Sequence, residues 1–132
     1  MNKAAQLILA STALTTITLI ANTADTGKLP APADRKDVTF ADIKPIFDKS
    51  CIECHGPKKQ KGELRLDSRE AAVKGGEEGP VLKAGDSANS HLVKLVARLG
   101  DEEDWMPPID KGKPLTPEQV GLIRAWIDQG AK

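Results

Sequence analysis

Large aromatic side chains are scarce in this sequence. Its 132 residues include two Phe, two Trp and no Tyr. A chain of this length suits one domain, and so small a domain buries only a modest core even when large side chains are plentiful. The shortage therefore predicts that something other than side chains fills the centre of the fold.

A surplus of charge of either sign is also absent. Lys and Arg together number 19, as do Asp and Glu, so the formal net charge is zero. Proteins that bind nucleic-acid phosphates usually carry a basic surplus. The composition therefore gives no reason to expect a nucleic-acid partner.

Long hydrophobic runs are confined to the N-terminus. Lys3 precedes a mostly apolar stretch at 4–20, and the small residues Ala21 and Ala24 follow it. This pattern is typical of a secretory signal peptide, and the stretch is short and Thr-rich for a membrane anchor. We therefore expect residues 1–24 to be a signal peptide that is removed near Ala21 to Ala24. The mature protein is then periplasmic or otherwise exported, with no stable membrane insertion.

The remainder divides into a short arm and one folded domain. Residues 25–37 are polar and contain Pro30 and Pro32, which predicts a flexible linker ahead of a domain at 38–132. Helical periodicity and capping residues predict three helices, and a long Gly- and Pro-rich loop at 56–86 offers one further helical turn. No convincing strand pattern occurs, so the fold class expected is all-α. The first helix is expected at 40–50 with Thr39 as N-cap, although Pro45 conflicts with a regular helix there. The second is expected at 90–99, ended by Gly100. The third is expected from Pro117 onward between Thr116 and Gly130, and the extra turn at 68–73.

Cysteine is scarce too, and its two copies stand in one motif. Cys51-Ile52-Glu53-Cys54-His55 has the spacing C-x-x-C-H, which is the attachment signature of c-type haem. Two cysteines three positions apart in a helical turn present their sulfurs on one side, where both can add to the porphyrin vinyl groups. The imidazole that follows can ligate the iron. The motif predicts one covalently bound haem c, with thioether bonds at Cys51 and Cys54 and His55 as the proximal iron ligand, and such a macrocycle would also fill the centre of the fold.

Other uses of a Cys pair fit this sequence less well than haem attachment. A thioredoxin-like redox pair needs a preceding strand, which the sequence does not predict, and a structural disulfide would not need His55. A zinc site needs four ligands, and the only other His is His91.

The sixth iron ligand has two candidates. Apart from Met1 in the expected signal, Met106 is the only Met, and it stands in Trp105-Met106-Pro107-Pro108. Prolines fix their φ angles and stiffen a loop, which favours holding a thioether against iron. His91 lies at an expected helix start, where a solvent-facing His is ordinary. Met106 is therefore expected to be the distal ligand.

The sequence resembles the c-type cytochromes, and most closely the planctomycete-type cytochrome c domain. The resemblance implies a cytochrome c-like helical domain wrapped around one covalent haem, with long Gly-rich loops. It also implies Cys51 and Cys54 as attachment sites, His55 as proximal ligand and Met106 as distal ligand. The matching stretches are 43–47, 51–56, 61–67, Gly75-Gly76, Gly79-Pro80, Gly85-Asp86, Met106-Pro107-Pro108 and 126–131.

The function expected is that of a mono-haem c-type cytochrome, a one-electron carrier in the cell envelope that serves redox partner proteins and is not an enzyme. One alternative is a haem enzyme or gas sensor with an open distal site. Another is a metal-free interaction module closed by a Cys51–Cys54 disulfide. Lys58, Lys59 and Lys61 directly follow the motif and are candidates for a docking face, while the acidic run at 101–104 could serve a partner of opposite charge.

Overall fold

Helices provide the regular structure of this protein. The computed structural model describes residues 29–132, so the expected signal peptide and the start of the linker lie outside the described residues. Between residue 29 and residue 132 no strand occurs, only two isolated β-bridges, and the all-α prediction is confirmed. No helix in this range is long and apolar enough to cross a membrane. The α-helices are α1 Phe40–Ser50, α2 Arg69–Lys74, α3 His91–Val96 and α4 Pro117–Asp128, and single 3-10 turns occupy Lys61–Glu63, Ser87–Asn89 and Glu102–Asp104.

Helix α1 has the bounds that its sequence predicts. The Asp42 carboxylate accepts from the Thr39 backbone N–H at 2.8 Å and from the Thr39 hydroxyl at 3.1 Å, which satisfies donors at the helix start. The helix continues through Pro45. Pro45 has no N–H to donate to the carbonyl of Ala41, which is an exposed residue.

An aromatic cluster joins α1 to α4. The ring centroids of Phe40, Phe47 and Trp126 lie 5.8 to 6.4 Å apart in tilted and edge-on arrangements, which aromatic pairs favour. Phe47 and Trp126 are fully buried. Side chains therefore fill the space between these two helices.

Helix α4 begins and ends as predicted. Thr116 and Gln119 form a reciprocal capping box with bonds of 2.9 and 3.2 Å. Gly130 follows the helix with φ +100°, and its N–H donates to the Ile127 carbonyl at 2.9 Å. Ala131 N–H donates to the Trp126 carbonyl at 2.9 Å, which completes a Schellman motif with glycine in its left-handed position.

Helix α3 ends earlier than predicted, and the residue that terminates it differs from the predicted one. Arg98 N–H donates to the Leu95 carbonyl at 3.1 Å and Leu99 N–H to the Lys94 carbonyl at 3.0 Å, which is again a Schellman motif. Its left-handed position is held by Arg98 with φ +55°, at a cost of about 1 kcal/mol relative to glycine. The prediction that Gly100 ends a helix at 90–99 is therefore wrong, because the helix stops at Val96 without a glycine.

The described part of the expected linker, residues 29–37, lies along α4. Ala33 N–H donates to the Gly121 carbonyl at 2.9 Å, and the Arg124 guanidinium donates to the Pro30 carbonyl. These bonds anchor a segment that the sequence predicts to be flexible.

Gly62 and Gly76 form a close backbone contact between two parts of the long loop at 56–86. The Gly62 carbonyl accepts from the Glu77 N–H at 2.8 Å. A Cβ at Gly76 would lie 2.4 Å from the same carbonyl, so only glycine permits this approach. The start of the loop is held against the motif residues by bonds from the Lys61 N–H to the Cys54 carbonyl at 3.0 Å and from the Leu66 N–H to the His55 carbonyl at 2.8 Å.

Candidate functional site

The C-x-x-C-H motif forms a compact turn directly after α1. Cys51 caps the helix, and the backbone N–H groups of Cys51 and Ile52 both donate to the Phe47 carbonyl, at 2.8 and 3.1 Å. Cys54 and His55 then donate to the Cys51 carbonyl at 3.1 and 2.9 Å. Because Phe47 is part of the aromatic cluster, the core packing of α1 positions this turn.

Both cysteines are free thiols, and Cys51 packs against the hydrophobic core. Burial raises the pKa of the Cys51 thiol to about 12. A reactive redox cysteine needs the opposite, a lowered thiol pKa that favours thiolate. The surroundings of Cys51 therefore disfavour thioredoxin-like chemistry and suit a neutral sulfur such as a thioether.

The His55 ring is held in one tautomer. Its Nδ1 lies 3.1 Å from the Lys61 carbonyl oxygen, which can only accept, so Nδ1 carries the proton and Nε2 carries the lone pair. Burial lowers the pKa of His55 and outweighs the carbonyls of Lys61 and Leu64, which act to raise it. A neutral imidazole oriented through its other nitrogen is the form that ligates metals.

Gly56 closes the turn, and sequence reasoning assigned it no role. It is buried, and an added Cβ would lie 2.4 Å from the Ile52 carbonyl oxygen and 2.7 Å from its Cγ2. Its position directly after the motif was the only signal for this requirement.

Met106 is held on a loop that is bound to α3, and we call residues 100–112 the Met106 loop. The Met106 N–H donates at 3.1 Å to the Leu95 carbonyl, which also accepts from the Arg98 N–H at the end of α3. Met106 is half-buried and, like Cys51, packs against the hydrophobic core. The predicted haem-attachment segment and the predicted iron-ligand segment therefore border the same hydrophobic core. His91, the competing ligand, is an exposed residue at the start of α3.

Two concave regions of the surface lie away from the motif. One of about 570 Å³ is bordered by the acidic run and by Pro108, Ile109 and Asp110, and one of about 400 Å³ lies between the arm and α4. Neither includes Cys51, Cys54 or His55 among its lining residues. The candidate site is therefore described by its donor atoms.

A zinc site gains no support from these side chains. Among residues 29–132 no three His, Cys, Asp or Glu side chains converge to hold a bare metal ion. The donor set suits haem better, because haem brings four of the iron ligands itself and asks the chain for two thiols and one neutral imidazole.

A C-x-x-C-H turn in a helical fold is the arrangement typical of c-type cytochrome domains. The family model described as Planctomycete cytochrome C matches residues 51–110, from the first Cys of the motif to the Met106 loop. The match covers a little under half of the chain and confirms the resemblance to the planctomycete-type cytochrome c domain. This resemblance supports haem as the cofactor. No curated protein and no solved structure matches the chain.

We predict that Gly56→Ala disrupts the motif turn. The added methyl group would collide with the Ile52 carbonyl, and overpacking of this kind lowers the free energy of unfolding by about 1–3 kcal/mol. Thermal unfolding of the purified protein measures the loss. Gly62→Asn is the matched control, because the nearest atom to a Cβ there is 3.7 Å away and Asn tolerates a left-handed backbone. Equal stability of the two variants would contradict the prediction.

Proposed function

We propose that this protein is a mono-haem c-type cytochrome that is exported to the cell envelope and carries one electron at a time between redox partner proteins. The observation that carries the proposal is the His55 ring, whose Nδ1 proton is committed to the Lys61 carbonyl within a turn that holds two free thiols. The expected signal peptide at residues 1–24 and export belong to this proposal.

Each residue of the site has a separate task. Cys51 and Cys54 would hold the haem through thioether bonds, so that a small chain keeps its cofactor without enclosing it. His55 would ligate the iron through Nε2, while the Lys61 carbonyl keeps the imidazole oriented and increases its basicity. Once bound, the haem supplies a reversible one-electron couple.

The distal side decides between a carrier and the alternative, a haem enzyme or gas sensor. A carrier needs iron that is ligated on both faces, and Met106 is the proposed sixth ligand. Its half-buried position and its backbone bond to α3 support this assignment. His91 is exposed, which favours a surface role for it.

We predict that covalent haem depends on both cysteines. The full chain, produced with haem-attachment machinery, should have a denatured mass that includes one haem. Cys51→Ser and Cys54→Ser should each reduce this fraction because one thioether remains, and the double variant should retain no covalent haem. Ser50→Ala is the control beside the motif and should behave as the wild type. A wild-type mass without haem and with a Cys51–Cys54 disulfide would favour the interaction-module alternative.

We also predict that Met106→Ala leaves haem attached but opens the iron to water and carbon monoxide. The reduction potential should fall by on the order of a hundred millivolts, within the ~0.8 V range that axial ligands span. The direct measurement is the thioether-to-iron charge-transfer band of the oxidised protein, which should disappear. His91→Ala is the matched control and should change neither potential nor band. If the band survives in Met106→Ala, the assignment fails.

The proposed partners would dock on the lysines that follow the motif. Lys58, Lys59 and Lys61 are all exposed, and the Gly56 N–H donates to the Lys59 carbonyl at 2.8 Å, which folds this segment back against the turn. Positive charge beside the point of haem attachment would steer an acidic surface toward it.

Charge reversal of these three lysines to Glu is expected to slow reduction by a partner at low salt, and the difference should shrink as ionic strength rises. Stopped-flow mixing with an acidic redox protein measures the rate. The control reverses the exposed residues Lys36, Lys74 and Lys113, which gives the same change in net charge at other positions. Equal rates for the two triple variants would contradict the proposed docking face.

A further inference from the structure

Arg98 occupies a position whose backbone and side chain are both unfavourable for arginine. It is the left-handed residue of the Schellman motif that ends α3, with φ +55°, whereas the same motif at the end of α4 uses Gly130. The Arg98 Nε is buried and has no hydrogen-bond partner among the described residues. None of the ion pairs found from residue 29 onward involves Arg98. Contacts of the Arg98 side chain elsewhere would have to offset this cost.

The contacts that Arg98 does make are to both neighbours of Met106. Its Nη2 donates to the Pro107 carbonyl at 3.0 Å, and its guanidinium carbon lies 5.6 Å from the centroid of the Trp105 ring, within cation–π range. The N–H of Met106 itself donates to the Leu95 carbonyl. Three consecutive residues of the Met106 loop are therefore fixed to the end of one short helix.

We propose that Arg98 is the positioning residue of the Met106 loop, and that its guanidinium holds the Met106 thioether in place for iron ligation. This inference rests on the proposed function. A thioether is a weak ligand, so the free energy spent on ordering its loop decides whether it stays bound. The planar guanidinium serves the ring and the carbonyl at once, which a point-like ammonium does less well.

The test compares Arg98→Gly, Arg98→Ala and Arg98→Lys in the haem-loaded full chain. Glycine relieves the left-handed backbone and alanine does not, so the pair separates backbone strain from loss of the side chain. Carbon monoxide binds ferrous iron only when the sixth ligand leaves, and both Gly and Ala should accelerate it by about tenfold to hundredfold, the effect of losing a hydrogen bond from a charged donor. Lys should give an intermediate rate because it keeps the charge and one contact. Arg65→Ala is the control, since Arg65 is paired with Asp67 at 2.6 Å.

Two further measurements do not depend on electron transfer. Hydrogen exchange of the Met106 amide should accelerate in the Gly and Ala variants, while exchange of the Cys51 amide should not. The thioether-to-iron band of the oxidised protein should weaken in the same order as the carbon monoxide rates rise.

The outcomes separate this inference from the proposed function. If the wild type has the thioether band and the Gly and Ala variants bind carbon monoxide at the wild-type rate, Arg98 has no positioning role and Met106 ligation stands. If Ala alone accelerates binding, backbone strain explains the effect and the inference is overturned. If the wild type lacks the band, Met106 is not the ligand, and both the distal assignment and this inference fail.

Discussion

The contact between α1 and α4 is the constraint on which the rest of this small fold depends. Three of its four aromatic side chains, Phe40, Phe47 and Trp126, are used there, which concentrates most of its large apolar surface in one cluster. Two bonds to the Lys132 carbonyl reinforce it, from Trp126 Nε1 and from the Phe40 N–H, both at 2.8 Å. Because backbone N–H groups of the motif turn donate to the Phe47 carbonyl, this core determines the position of the Cys51 and Cys54 thiols.

The second half of the candidate site is built differently. The Met106 loop contains no α-helix, and it is positioned by polar contacts to the last turn of α3. The Leu95 carbonyl, near the end of α3, accepts from the Met106 N–H as well as from the Arg98 N–H. The candidate site therefore joins a turn that follows the packed helix α1 to a loop that adds hydrogen bonds and a cation–π contact to its own packing against the core.

The sequence correctly predicted the helix ends that are determined by residues close to them in the chain. Thr39 and Asp42 placed the start of α1, and Thr116, Gln119 and Gly130 placed both ends of α4, since capping is decided within a few residues. The end of α3 was predicted wrongly because the left-handed residue is Arg98, and its stabilising contacts come from residues beyond the helix. The sequence likewise could not predict the approach of Gly76 to Gly62 or the bond from Ala33 to Gly121. A single sequence does not show which distant backbone segments are in contact. The motif residues could be named from their spacing, but the Lys61 carbonyl that orients His55 could not.

The two Schellman motifs separate what a helix end requires from what a site requires. At Gly130 the left-handed backbone has no steric cost, and the residue has no side chain to use. At Arg98 the same backbone geometry is costly, yet it aims a long cationic side chain at Trp105 and Pro107, on either side of Met106. An open distal site would need no such fixed loop, because a substrate or gas must reach the iron. Three consecutive anchored residues support the proposed ligation by Met106, because the thioether of an electron carrier would have to remain bound through both oxidation states.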